Sequence, residues 1–170
     1  MKKIFLLLLI STTSLLQKSM AQTTNSKSAI SAVLTTYIQL KNSLAADDSK
    51  TARTGAKALM AEIDKVPMDK MTSDQHTGWM KYVKKLSYDA EHIAGTNEID
   101  HQREHFVSLS KNMYAVLKVI PPDSSFYYQF CPMANDGKGA FWVSEQEKIK
   151  NPYMGSKMPS CGSTKETLKK

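Results

Sequence analysis

Apolar residues recur at steps of three and four along most of the chain, in four separate runs. The first passes through Ile30, Val33, Leu34, Tyr37, Ile38 and Leu44, with Lys41 adding only the stem of its side chain. A stripe of this kind predicts an amphipathic helix, started by Ser26 or Ser28 and stopping near Ala46. Asp47 and Asp48 are N-cap residues for a second helix, with Ala52, Ala56, Leu59, Met60, Ile63 and Val66 on its inner face and Pro67 as its end. Gly55 costs this helix about 1 kcal/mol relative to Ala.

A third helix starts at Thr72 or Ser73, buries Trp79, Tyr82, Val83, Leu86, Ala90 and Ile93, and has Gly95 placed as its C-cap. The fourth starts near Asn97 and carries Ile99, Gln102, Phe106, Leu109, Met113, Val116, Leu117 and Ile120, until Pro121-Pro122 stops it. None of these stripes can be buried alone, and the connections are short. The expected fold is all-α, an antiparallel up-down four-helix bundle.

Past Pro122 the period changes. Phe126-Tyr127-Tyr128-Gln129-Phe130 reads as a strand, Asp136-Gly137-Lys138-Gly139 as a turn, and Ala140 to Val143 as a second short strand. Glu145 to Ile149 is expected to form a helical turn. Asn151-Pro152, Gly155, Pro159 and Gly162 then interrupt regular structure. The expectation is an irregular cap over 123–164 holding a short β-hairpin, within one domain spanning 22–164, and a frayed basic tail over 165–170.

The N-terminus adds a location. Lys2 and Lys3 precede an apolar run, Ile4 to Ile10, that is too short to span a bilayer, and Ser19-Met20-Ala21 has the small-x-small cleavage pattern. Residues 1–21 therefore read as a signal peptide, and the mature chain as a periplasmic or secreted protein that is not embedded in a membrane. The leader takes three of the 23 basic residues and none of the 16 acidic ones, lowering the net charge from +7 to +4. That mild excess is scattered, so nucleic-acid binding is not expected. Phosphate-loop and Gly-x-Ser-x-Gly signatures are absent, and the reading is of a protein that is not an enzyme.

The unusual chemistry lies in the cap. Cys131-Pro132-Met133 and Met158-Pro159-Ser160-Cys161 each hold a thiol and a thioether, with Met154 between them. Such sulfurs favour Cu(I). Residues two apart on extended chain point the same way, and Pro132 keeps Cys131 extended, so Cys131 and Met133 can present two sulfurs together. The competing reading is a Cys131–Cys161 disulfide, ordinary for a cysteine pair in an oxidising compartment and worth roughly 3–4 kcal/mol by chain entropy. His101 and His105 share one helix face, a pair that either binds metal or is simply solvated. His76 and His92 stand alone.

The segment YYQFCPMANDGKGAFWVSEQEKIKNPYMGSKMPSCGS, Tyr127 to Ser163, with HQREHFVSLSKNMY, His101 to Tyr114, resembles the domain of unknown function 3347 family of exported Bacteroidetes-type proteins. Members of that family look like stand-alone secreted proteins or extensions of periplasmic adaptor subunits of heavy-metal efflux pumps. The resemblance implies a role in copper or silver handling, and it matches Cys131, Met133, Met158, Cys161 and His105. One departure is Met158-Pro159-Ser160-Cys161-Gly162, where the family often has Met-Leu-x-Cys-Gly. Two functions follow as expectations. One is periplasmic copper binding, as Cu(I), in metal homeostasis or efflux, with a periplasmic efflux adaptor as partner. The other is a structural or docking module with a Cys131–Cys161 disulfide, meeting a protein partner through Tyr127, Tyr128, Phe130 and Trp142. The leader reading carries its own test. N-terminal sequencing of the exported protein should begin at Gln22, and a mature chain that keeps Met1 contradicts it.

Overall fold

A computed structural model of the chain describes residues 26–169. The signal-peptide reading and the cleavage site lie outside them. No helix among the described residues is long and apolar enough to cross a membrane.

Four helices form the body: α1 over 26–45, α2 Ser49–Asp64, α3 Ser73–Gly95 and α4 Ile99–Val119. Their ends show the up-down order. Ser26, at the described start of α1, donates to Gln75 at the start of α3, while Gln102 at the start of α4 donates to the carbonyl of Ser49 at the start of α2. Arg53, early in α2, donates to the carbonyl of Ala94 at the end of α3. Starts of α1 and α3 thus share one end of the bundle, and starts of α2 and α4 share the other.

Local chemistry sets these boundaries. Asp48 caps α2 through the Thr51 N–H at 2.9 Å. Thr72 and Gln75 form a reciprocal capping box at the start of α3. Gly95 is the last residue of α3, with Thr96 as the C-cap, and α4 starts at Ile99, two residues past the expected point. The core holds Tyr37, Leu40, Leu59, Trp79, Leu86, Phe106, Leu109 and Met113, all essentially inaccessible. Gly55 has a reason to be glycine: a Cβ there would stand 3.4 Å from the Cα of Leu40, so α1 and α2 touch through their backbones.

The cap is a three-stranded antiparallel sheet, β1 Phe126–Cys131, β2 Ala140–Ser144 and β3 Ser163–Leu168, in the order β2-β1-β3. The expected hairpin is β1–β2, with Gln129 opposite Trp142 and Cys131 opposite Ala140. The third strand corrects the reading of 165–170 as a frayed tail. Residues 166–168 pair with β1, Leu168 is buried, and Glu166 accepts from the Tyr114 hydroxyl at 2.6 Å and from Lys118 at 2.7 Å. Residues 145–148 form bends in place of the helical turn expected over 145–149, because their polar groups are used elsewhere. Gln129 takes the carbonyls of Gln146 and Glu147, and Glu145 turns inward to Lys41.

The bundle holds the cap by the open edge of β2. The N–H of Val143 donates to the Tyr37 hydroxyl at 3.1 Å, and the Tyr153 hydroxyl donates to the Phe141 carbonyl at 2.6 Å. Tyr37 also meets Ser110 on α4 at 2.8 Å. Lys41, fully buried to its ammonium, pairs with Glu145 at 2.8 Å just past the strand. Burial pushes the Lys41 ammonium down and the Glu145 carboxyl up. For Glu145, the bonds from Lys41 and Asn42 outweigh burial and leave it below its ordinary value.

Two outcomes follow. Tyr37→Phe strands the Val143 N–H inside the protein, so urea unfolding should show a loss of about 1–3 kcal/mol; a loss indistinguishable from zero contradicts the edge contact. The second concerns acid. Glu145, Glu166 (held down by Lys118, then Tyr114) and Asp47 (held down by Ser156, then Arg103) all have lowered carboxyls in the folded protein. Lowered folded values mean stability that is present at neutral pH and lost as pH falls below the unfolded values of about 4. Melting temperature should hold down to about pH 5 and then fall, less steeply in Glu145→Gln.

Candidate metal centre between the third and fourth helices

The connection from α3 to α4 is only three residues, 96–98, so the last turns of α3 face the first turns of α4. Gln102, fully buried, tightens this corner by donating to the Thr96 carbonyl at 2.8 Å and to Ser49 at 3.0 Å. Arg103 fixes the same end of α4 from the other side. Its guanidinium donates to the carbonyls of Pro152 at 2.8 Å and Leu44 at 2.9 Å, and pairs with Asp47 at 2.6 Å. Gly155, with φ +52°, lies against this pair, and any Cβ there would overlap the Asp47 carboxylate.

Three histidines meet at the corner. His92 comes from the last turn of α3, and His101 and His105 come from successive turns of α4. One ring nitrogen from each can be chosen so that all three lie within 4.8 Å of one another. His92 and His105 are stacked, with centroids 4.3 Å apart and planes at 15°, and His101 meets His105 edge-on at 4.8 Å. Tyr88, one turn before His92, places its exposed ring 4.4 Å from His92 and 5.9 Å from His105.

Behind the cluster, Asp89 points its buried carboxylate at His105 Nδ1, 3.4 Å away. In front, Glu104 reaches His101 Nδ1 at the same distance. Three nitrogens bound to one ion at 2.0–2.1 Å stand about 3.4 Å apart, so the cluster must close by little more than about 1 Å to ligate. Rotation of accessible side chains supplies that. The arrangement is a group of three imidazoles able to hold a metal ion.

Of the residues singled out in the sequence, the expected ligand His105 and its helix partner His101 lie in this group, which includes neither Cys131 nor Cys161. Those two are free thiols in near contact, Cys131 buried at the end of β1 and Cys161 half-buried ahead of β3. A hydrogen bond with Cys131, together with burial, pushes the Cys161 thiol up, against a backbone N–H from Met133 that pulls it down. Asn151 holds the segment in place. Its amide donates to the Cys161 carbonyl at 2.7 Å, and its Oδ1 accepts from Tyr153 and Met154. Met133 is 56% exposed and lines a cleft of ≈ 640 Å³ with His101, Glu104 and Met154; neither cysteine lines it. Met158 is half-buried in the loop, its carbonyl accepting from the Cys161 N–H.

The four aromatic residues expected to face a partner do not form one exposed patch. Trp142 is fully buried and belongs to the core. Tyr128 is stacked between Tyr114 at 3.8 Å and Phe141 at 4.7 Å, and Phe130 packs against Phe141 at 4.4 Å. Tyr127 is half-buried.

Sequence reading missed His92 and Asp89. The signal for His92 was its closeness to the corner, nine residues before His101 across a three-residue turn. The signal for Asp89 was an acid beside Ala90 on the stripe that runs from Leu86 to Ile93.

Comparison with known proteins places the chain in a family. The family described as Protein of unknown function (DUF3347) matches residues 33–125, more than half of the chain. The match runs from α1 to the residue before β1 and takes in Asp89 and all three histidines. No curated protein and no solved structure matches. The chain therefore belongs to the DUF3347 family, and its matched region is the helical body that carries the histidine corner.

Proposed function

We propose that this protein binds one metal ion through His92, His101 and His105, that the ion is copper, and that binding serves metal homeostasis or efflux outside the cytoplasm. The observation that carries the reading is the convergence of three ring nitrogens from two helices within 4.8 Å. Imidazole suits copper and zinc, and copper stands above zinc in the general order of divalent affinities. Soft sulfur lies nearby: Met133 and Met154 line the cleft that His101 also lines. Export and a link to efflux adaptors come from the leader pattern and the family resemblance.

A second reading has its own observation. Cys131 and Cys161 are in near contact. Closed as a disulfide, they would tie the end of β1 to the segment before β3, and the cap would serve as a stapled structural module.

Copper titration of the reduced protein by calorimetry separates the two. One ion per chain should bind, and His92→Ala, His101→Ala and His105→Ala should each weaken binding at least about tenfold. Cys131→Ser with Cys161→Ser should leave the affinity within about twofold. Loss of binding in the cysteine variants with no effect of the histidine changes overturns the proposed site.

A further inference from the structure

Asp89 is a buried acid. It sits on the inner face of α3 between Leu86 and Ile93, both apolar and fully buried, and is itself only 4% exposed. A buried carboxylate is expensive unless its charge is used. Among the described residues, its one hydrogen-bonding or ionic partner is His105.

A carboxylate only accepts, so the ring atom facing it must carry the proton. We infer that Asp89 is a positioning residue: it holds His105 with Nδ1–H toward the carboxylate, which leaves Nε2 as the atom offered to the metal. The inference rests on the metal-binding reading of the histidine cluster.

The geometry of the rest of the corner agrees with that role. His105 is the central ring of the cluster, stacked on His92 at 4.3 Å, met edge-on by His101 at 4.8 Å, and flanked by Tyr88 at 5.9 Å. It is also more enclosed than His101, with 15% of its side chain exposed against 47%. Its rotation about χ2 would disturb both neighbouring ligands, so fixing this ring fixes the set. A second acceptor bonded to a ligating histidine is the usual way such rings are oriented, and its loss typically weakens metal binding by about ten- to a hundredfold. Glu104 stands in the same relation to His101, but that pair is solvent-exposed, and a fixed orientation there is worth less.

Two measurements test this on the full mature chain. The first needs no metal. Nitrogen-15 spectra of the histidine rings should show His105 as the Nδ1–H tautomer, and Asp89→Asn should change that population. The second is copper affinity, which should fall about ten- to a hundredfold in Asp89→Asn and Asp89→Ala. His76→Ala, a histidine outside the cluster, should leave it unchanged. An Nε2–H tautomer in the wild type overturns the inference. So does a wild type that binds copper as tightly as Asp89→Asn. A wild type that binds no copper overturns the metal reading itself, and the inference with it, so the two failures are told apart.

Discussion

The open edge of β2 is the constraint on which the rest of the structure depends. A three-stranded sheet with β1 in the middle leaves β2 with unpaired backbone groups on its outer side, and these face the bundle. Tyrosine hydroxyls satisfy two of them: Tyr37 from α1 accepts the Val143 N–H, and Tyr153 from the cap's own loop donates to the Phe141 carbonyl. An exposed edge invites pairing with other chains, whereas this one is closed by side chains that are themselves buried. Burial drives both tyrosines to well above their ordinary values, so they stay neutral and keep their hydrogen bonds.

The consequence reaches the histidine corner. Once β2 is docked, the loop carrying Pro152, Tyr153 and Gly155 lies against the start of α4, where Arg103 binds it and binds the α1–α2 turn as well. Gln102 and Arg103, adjacent in sequence, hold the first turns of α4 from two sides. His101 precedes them and His105 follows, so the ligating face of α4 is set by contacts on its opposite faces. A site placed on rigid helices and supported from behind needs little rearrangement to hold an ion.

The helices were legible because their stripes repeat at the right period and their ends carry strong signals: Asp48, Thr72, Pro121. The hairpin was legible from a run of aromatics, Phe126 to Phe130, followed by a turn rich in glycine. The third strand was not, because Thr164 to Leu168 is polar, with one Lys and one Glu, and its order comes from partners on α4. Lys41 was read as a buried stem, and its ammonium is buried too, since Glu145 arrives from a hundred residues away. The site was half legible. A pair four apart on one helix can be seen in sequence, but His92 joins it only through the turn, and Asp89 only through packing. Trp142 looked like a partner-facing aromatic because nothing in the local pattern tells the two faces of a short strand apart.

If copper binds as proposed, the ion is held by imidazoles at the helical corner, away from the thiol pair. X-ray absorption at the copper edge of the loaded protein tests this most directly. The expected spectrum has nitrogen scatterers at about 2.0 Å with the outer-shell signature of imidazole rings. A first shell of sulfur at about 2.3 Å would put the ion on Cys131 and Cys161 and contradict it.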